Sequence, residues 1–255
     1  MSWELGAGLE GRGVIVTGAT GGIGREVARA FASAGARVMA VDVSPAACGE
    51  LLSELDGEGH SFSALDLSDV SAHQELIETA RRTVGEVYAL VHLAAVLRRQ
   101  AELSDVTETD WDFQVDTNLK ATFFLCRAAA EVMVEQGHGG RLVTFTSQGW
   151  WTGGFGGSVV YNTTKGGIVT MTRGLARTYG KHGITVNAIA PGQVRTAMLL
   201  KDLDPQVLEA MTQATPLGRI AEPEEIAGLA IFLASRHAGF ITGATVNITG
   251  GLLMY

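Results

Sequence analysis

The sequence predicts an α/β protein consisting of one doubly wound domain, with a seven-stranded parallel sheet covered by helices on both faces. Short, continuous apolar runs alternate with stretches of helical periodicity along all 255 residues. Continuous apolar runs are typical of parallel strands, which are buried on both faces. A glycine-rich turn, residues 18–24, also joins the first apolar run directly to the first helical stretch.

The apolar runs predict seven strands, at residues 14–17, 38–41, 60–65, 88–93, 141–146, 185–190 and 245–248. Helical periodicity begins at Gly22, after Ser44-Pro45, at Ser71, at Thr107 (as two helices with a break near residue 117), at residue 159 and near residue 223. Ser44 is a favourable N-cap before a proline, and Ser71 with Gln74 has the spacing of a capping box. These helices separate the strands, as parallel pairing requires.

The chain is expected to be a single domain, residues 1–255. Residues 1–12 precede the first strand as an N-terminal arm. Residues 193–221 are the one long irregular segment, and loops longer than about 12–15 residues inside a domain are usually functional. We therefore expect this segment to be a substrate-binding flap.

Composition excludes several classes of protein. A net charge of −8 argues against nucleic-acid binding, and no apolar run approaches the roughly 18 residues of a membrane span. The first dozen residues lack the features of a signal peptide. Cys48 and Cys126 are far apart and outside any C-x-x-C spacing, as expected for thiols of a cytoplasmic protein. The six histidines show no pairing typical of a metal site.

The glycine turn places Gly18, Gly22 and Gly24 between a strand and a helix. A helix N-terminus with glycines before it binds anions, because backbone N–H groups and the helix dipole face the ligand. The spacing is neither G-x-G-x-x-G nor a Walker A loop. On its own the turn is either a nucleotide site or a tight corner, but its place after the first strand favours the nucleotide.

Asp42 ends the second strand, eighteen residues beyond Gly24. A carboxylate there accepts hydrogen bonds from both adenosine ribose hydroxyls and repels a 2′-phosphate, which favours NAD over NADP. The alternative is a solvated strand-end acid or helix cap. Asp66, after the third strand, is either an adenine contact or a turn aspartate.

Tyr161 and Lys165 lie four residues apart near the start of a long helix, and therefore on one face. A nearby cation stabilises a phenolate, which makes tyrosine a credible general acid/base for interconverting an alcohol and a ketone. Ser147 ends the fifth strand, where its hydroxyl can donate to a substrate oxygen.

With these motifs the chain resembles the short-chain dehydrogenase/reductase family over essentially its whole length. The matching segments are residues 17–24, Asn118 within residues 116–120, Ser147, Tyr161 with Lys165, and residues 187–192 with Thr196. The resemblance implies a Rossmann-type fold and an oxidoreductase. Tyr161 would be the acid/base, Lys165 would lower its pKa and hold the nicotinamide ribose, and Asn118 would support a water relay. Ser147 would orient the substrate oxygen, and Thr196 would contact the nicotinamide carboxamide.

The predicted cofactor site for NAD comprises Gly18, Thr20, Gly22, Ile23, Gly24, Asp42, Asp66, Leu67, Ala94, Tyr161, Lys165, Pro191, Gly192, Val194 and Thr196. No metal is expected.

The sequence departs from the family pattern at three places. His92 stands in place of the first asparagine usual after the fourth strand, and we interpret it as a core histidine. Ser147 precedes Tyr161 by fourteen residues instead of thirteen; the usual spacing would fall on Gln148, which cannot serve the same role. Thr249 stands where aspartate is usual, which affects assembly contacts more than catalysis.

Substrate contacts are predicted from position alone, and each has a structural alternative. Gln148, Trp150, Trp151 and Phe155 lie between Ser147 and Tyr161, and either line the pocket or pack on the surface. Met198, in the flap, either covers an apolar substrate or packs within a helix pair. The remaining candidates, Arg98 and Arg99, either meet an anionic substrate or are solvated loop residues.

The predicted function is NAD(H)-dependent hydride transfer between nicotinamide and a secondary alcohol or ketone, such as a sugar, polyol or other small hydroxy compound. Two alternatives stay open: a 3-oxoacyl thioester reductase, which Asp42 and the net charge of −8 disfavour, and a non-catalytic NAD-binding sensor or scaffold. The cysteine pattern predicts a cytoplasmic protein, and the resemblance implies a homotetramer assembled through helices near residues 107–136 and 159–181, with a small-molecule substrate as the other partner.

Overall fold

A computed structural model of the chain describes residues 4–154, 156–201 and 204–254. Its centre is one seven-stranded sheet in the order β3-β2-β1-β4-β5-β6-β7, and every pair of neighbouring strands is parallel. The strands are β1 Gly13–Thr17, β2 Arg37–Asp42, β3 Ser61–Ala64, β4 Ala89–His92, β5 Gly140–Phe145, β6 Ile184–Pro191 and β7 Thr245–Ile248. The predicted fold class is confirmed.

Helices cover both faces of the sheet. They are α1 Gly22–Ser33, α2 Pro45–Glu54, α3 His73–Val84, α4 Glu108–Val115, α5 Ala121–Gln136, α6 Gly149–Thr152, α7 Val159–Tyr179, α8 Ala197–Leu200, α9 Pro205–Ala214 and α10 Pro223–Ala234. Buried side chains of α1 and α10 form one apolar core with the sheet. Those of α3, α5 and α7 form the second core on the opposite face.

The strand order reverses between β1 and β4: β1 pairs with β2 on one side and with β4 on the other. The crossovers from β1 to β3 run outward in one direction, and those from β4 to β7 run outward in the other. A crevice opens at such a reversal beyond the carboxyl ends of the strands, and open α/β sheets bind ligands there. This geometry brings the turn after β1 close to the segments after β4 and β5.

One of two local helix predictions was wrong. Ser71 does not cap a helix; the carboxylate of Asp69 accepts the Ser71 backbone N–H at 3.0 Å, residues 70–72 form a 3₁₀ turn, and α3 begins at His73. The competing acceptor lies two residues upstream and has a full negative charge. The stretch from Thr107 forms two helices, as predicted, and the interruption near residue 117 is the π-helical turn Asp116–Lys120, which joins α4 to α5.

Residues 193–221 were predicted to be irregular, but they contain the helices α8 and α9. Thr196 caps α8 by accepting the Leu199 backbone N–H, and Asp204 caps α9 immediately before Pro205. Within the predicted N-terminal arm, Leu9 is fully buried against the first core, so residues 4–12 belong to the packed domain. None of the helices in the described part of the chain is long and apolar enough to cross a membrane.

Candidate active site

A cavity of about 880 Å³ opens at the carboxyl ends of β1, β4, β5 and β6. Most residues predicted to bind the cofactor or act in catalysis line this cavity. They are Gly18, Thr20, Gly22, Ile23, Gly24, Asp42, Asp66, Leu67, Ala94, Ser147, Tyr161, Lys165, Pro191, Gly192, Val194 and Thr196. Segments more than 100 residues apart in the chain therefore meet in one crevice, as the topology requires.

The glycine turn after β1 is tightly built. Gly18 has φ of +63°, a left-handed conformation that glycine adopts freely, and an added Cβ would lie 2.8 Å from the Ala94 backbone nitrogen. At Gly24, a Cβ would overlap the Gly18 carbonyl oxygen. Both positions need glycine so that the backbone of the turn can stay close-packed.

Asp42 lies at the end of β2 on the rim of the same cavity. One oxygen of its carboxylate accepts from the backbone N–H and the hydroxyl of Thr20, at 3.0 and 2.7 Å. The other accepts the Val43 backbone N–H at 2.8 Å. These bonds fix the carboxylate beside the glycine turn. Asp66 also lines the cavity, and its side chain accepts the Ser68 backbone N–H at 2.9 Å, which makes it a turn residue as well.

Tyr161 and Lys165 lie one turn apart on α7, and the Lys165 ammonium is 5.4 Å from the centroid of the Tyr161 ring. The Lys165 Nζ donates to the carbonyl oxygen of Phe145 at 2.8 Å, at the end of β5. Thr146 fixes the same helical turn, because its hydroxyl donates to the Lys165 carbonyl oxygen at 2.7 Å. The last strand residues thus anchor the Tyr161–Lys165 face of α7 against the cavity.

Burial sets the protonation of this pair. It raises the pKa of Tyr161 to about 12, an effect that the positive charge of Arg99 partly opposes. Burial also lowers the pKa of Lys165 to about 7, because a cation is disfavoured away from water. The family resemblance implied that Lys165 would lower the Tyr161 pKa; in this structure burial outweighs any such effect, and Tyr161 holds its proton at neutral pH.

Ser147 lines the cavity at the end of β5, and Gln148 does not. The Ser147 hydroxyl accepts the Gly149 backbone N–H at 3.2 Å, which starts the short helix α6. Trp150 and Trp151 on α6 also lie outside the cavity lining and contact each other edge to face, with ring centroids 5.3 Å apart. Phe155 lies outside the described residues, whereas Met198 lines the cavity.

Asn118 is fully buried in the π-helical turn and does not line the cavity. Its side-chain amide makes two hydrogen bonds to the backbone of Val96, accepting its N–H at 2.8 Å and donating to its carbonyl at 2.9 Å. The amide also donates to Thr164, the neighbour of Lys165, at 3.3 Å. Asn118 therefore connects the segment after β4 to the Lys165 turn.

His92 is a core histidine, as interpreted from the sequence. Its Nδ1 lies 2.7 Å from the hydroxyl of Thr17, which also accepts the Ala94 backbone N–H at 3.3 Å. Burial lowers the His92 pKa to about 3, and the charge of Lys165 acts in the same direction. A neutral His92 thus joins the ends of β1 and β4 beneath the cavity.

Several lining residues were missed from the sequence, including Leu93, Val96, Leu97, Phe113 and Thr117. The segment after β4 contributes most of them. Only its position after a strand could have indicated this role, because its apolar side chains have no chemical signature. The Phe145 carbonyl that holds Lys165 could not be found from side-chain identity at all, since it is a backbone atom.

The chain was compared with known proteins. A family model described as enoyl-(acyl carrier protein) reductase matches residues 18–253. The chain belongs to the short-chain dehydrogenase/reductase family. Human (3R)-3-hydroxyacyl-CoA dehydrogenase is 34% identical over 249 residues, covering 94% of this chain and 95% of that protein. D-threitol dehydrogenase of Mycolicibacterium smegmatis is 36% identical and covers 95% and 93%.

Solved structures agree with this family assignment. The crystal structure of a putative short-chain alcohol dehydrogenase from Sinorhizobium meliloti superposes with a TM-score of 0.91 at 34% identity, covering 98% of each chain. The predicted family is thus confirmed. Its curated relatives make the chain an oxidoreductase that acts on hydroxy groups, with a nicotinamide dinucleotide as cofactor.

Proposed function

We propose that the protein transfers hydride between NAD(H) and the carbinol or ketone carbon of a small hydroxy compound. One observation carries the proposal: a single cavity contains the glycine turn with Asp42 and also contains Ser147 and Tyr161. A dinucleotide held by the turn would extend toward the tyrosine, where a secondary alcohol has both an acid/base and a hydrogen-bond donor beside it.

The residues present fit such a cofactor. A side chain at Gly18 or Gly24 would collide with backbone, so the turn stays bare and able to approach a pyrophosphate closely. Asp42 would hold the adenosine ribose, Lys165 the nicotinamide ribose, and Thr196 the carboxamide. When bound, the nicotinamide accepts or supplies the hydride.

The chain's own residues handle the proton and the substrate oxygen. Tyr161, which burial keeps protonated, donates its proton to a ketone oxygen during reduction. For oxidation the phenol must first release this proton to solvent, and the phenolate then accepts a proton from the alcohol. Ser147 donates a hydrogen bond to the same oxygen and stabilises negative charge as it develops. The Phe145 carbonyl holds Lys165 in place. When Lys165 is protonated, its positive charge favours the Tyr161 phenolate that oxidation requires.

The preference for NAD rests on Asp42. A 2′-phosphate would have to lie beside this carboxylate, which two hydrogen bonds from Thr20 hold in place. The Asp42 carboxylate cannot rotate away from such a phosphate without losing a further hydrogen bond, because it also accepts the Val43 backbone N–H. The predicted discrimination is therefore electrostatic and steric together.

The test measures NADH formation from NAD⁺, or NADPH formation from NADP⁺, with a panel that includes D-threitol, other polyols, sugars, hydroxy acids and 3-hydroxyacyl-CoA. We expect turnover with NAD⁺. In Asp42→Ala, kcat/KM for NAD⁺ relative to NADP⁺ should fall roughly tenfold or more, as expected when charged hydrogen bonds are lost. Glu50→Ala removes the same charge from the exposed side of α2 and should leave the ratio unchanged.

Two alternatives give different outcomes in this assay. Turnover of 3-hydroxyacyl-CoA alone, and only with NADP⁺, would contradict the NAD assignment and favour the reductase. Binding of NADH without turnover of any compound would favour a sensor or scaffold. The wild-type ratio retained in Asp42→Ala would show that Asp42 does not select the cofactor.

A further inference from the structure

We propose that Arg99 binds a carboxylate of the substrate, so that the hydroxy compound oxidised at Tyr161 is a hydroxy acid. The inference deepens the proposed function and rests on it. Arg99 lines the cavity shared by Ser147 and Tyr161. Among the described residues it makes no hydrogen bond or ion pair, although arginine presents five donors in a planar fork that matches a carboxylate.

The neighbouring residue Arg98 has charged and aromatic partners that Arg99 lacks among the described residues. Arg98 forms an ion pair with Asp110 at 2.8 Å, and its guanidinium lies over the Phe113 ring at 4.4 Å. Arg98 is therefore a structural residue. Arg99, one position further, faces the cavity with its charge uncompensated by any described acid.

The backbone on both sides of Arg99 is held firmly. Asp110 binds the side chains of Arg98 and Gln100, at 2.8 and 3.0 Å, and Gln114 accepts the Arg98 backbone N–H at 3.1 Å. The Gln100 N–H donates to the Gly157 carbonyl at 3.3 Å, just before α7. This contact depends on Gly157, because a Cβ there would overlap the Gln100 carbonyl.

The anion would lie near the reacting carbon. The charge of Arg99 lowers the pKa of Tyr161 against the effect of burial, so the guanidinium acts at the catalytic end of the cavity. The three acidic lining residues have other partners, and Asp66 accepts the Ser68 backbone N–H at 2.9 Å. Asp42 is held by Thr20 beside the glycine turn, and Asp116 pairs with Lys120 at 3.1 Å. A short hydroxy acid, with its carboxylate a few bonds from the carbinol, fits this arrangement.

A binding experiment tests the inference without requiring turnover. Isothermal titration of the NADH complex with butyrate and with neutral butyramide would compare wild type, Arg99→Gln and Arg29→Gln. Arg29 is exposed on α1 and does not line the cavity. We expect Arg99→Gln to weaken butyrate binding roughly ten- to a hundredfold, the range for deletion of a charged hydrogen bond. Butyramide binding should not change, and Arg29→Gln should behave as wild type.

Turnover assays distinguish a free hydroxy acid from an acyl-CoA thioester as the substrate. With NAD⁺, wild type should prefer 2- or 3-hydroxybutyrate to 2-butanol, and Arg99→Gln should lose that preference because its kcat/KM falls far more for the hydroxy acids than for 2-butanol. Equal butyrate binding by wild type and Arg99→Gln would overturn the inference. A preference for 3-hydroxybutyryl-CoA over the free acid that Arg99→Gln leaves intact would also overturn it. If Arg99→Gln loses butyrate binding but wild type oxidises no alcohol, the result would support the carboxylate site and contradict the proposed function.

Discussion

Burial acts in opposite directions on the two titratable side chains at the centre of the site. It raises the pKa of Tyr161 to about 12 and lowers that of Lys165 to about 7. Each shift favours the neutral form of its group. The i, i+4 spacing identified both residues from the sequence, but their pKa values depend on burial by segments far away in the chain. Such shifts cannot be predicted from spacing.

His92 predicts a specific pH dependence of stability. Its pKa is about 3 in the folded protein and about 6.5 in an unfolded chain, so only the unfolded state gains this proton between these values. The stability that comes from keeping His92 neutral is therefore fully present above pH 6.5 and is lost as the pH falls toward 3. At pH 5 the loss is about 2 kcal/mol.

Urea denaturation at pH 7.5 and pH 5.0 measures this effect. His92→Asn, which restores the residue usual in the family, lacks the titrating group. The free energy of unfolding of His92→Asn minus that of wild type should therefore be about 2 kcal/mol larger at pH 5.0 than at pH 7.5. Parallel pH dependence of the two proteins would contradict a neutral, buried His92.

At the scale of elements, the glycine turn gives a test with a matched control. Gly24→Ala places a methyl group against the Gly18 carbonyl, so the turn must open. We expect a loss of about 1–3 kcal/mol in unfolding free energy, with weaker NADH binding. Gly49→Ala, in the exposed interior of α2, meets no atom within 4 Å and should stabilise the protein by about 0.5–1 kcal/mol.

Urea denaturation and NADH titration of both variants measure these effects. NADH affinity and stability equal to wild type in Gly24→Ala would show that the turn is not closely packed.

The predicted elements were correct where local signals agreed with the tertiary fold. Ser44 caps α2 as expected, accepting the Ala47 N–H at 3.2 Å, and β7 has the predicted bounds. The prediction was wrong for Ser71, because Asp69 competed for the same backbone group. The flap was predicted to be irregular, with a helix pair as the alternative, and the start signal Asp204-Pro205 does begin the helix α9.

At the scale of the whole molecule, sequence order predicted that the chain forms one parallel sheet, and motif order predicted that the turn after β1 faces Tyr161. Both rest on physics that local patterns reveal: buried strands and helix-starting glycines. The choice between Arg98 and Arg99 could not be predicted in the same way. It depends on Asp110, which pairs with one arginine and leaves the other facing the cavity.

We propose that the protein is a homotetramer assembled in part through the α4–α5 and α7 surfaces. Trp111, Phe123 and Val159 are 44, 41 and 50% exposed there, and exposed apolar side chains on neighbouring helices indicate an interaction surface. Light scattering after size exclusion should give four times the chain mass. Phe123→Glu should reduce it, whereas Leu5→Glu, at an exposed site elsewhere, should not. A monomeric wild type at micromolar concentration would contradict the proposal.

The central claim is that Tyr161 exchanges a proton with the substrate in a cavity that also holds NAD(H). Tyr161→Phe tests it most directly, because the change removes one hydroxyl and keeps the ring. With a substrate identified in the panel, kcat should fall by about 10²–10⁴. The affinity for NADH, measured by fluorescence titration, should stay within about twofold, because Phe keeps the ring and Asp42, Lys165 and Thr196 make the other proposed cofactor contacts. Wild-type turnover in Tyr161→Phe would contradict the account.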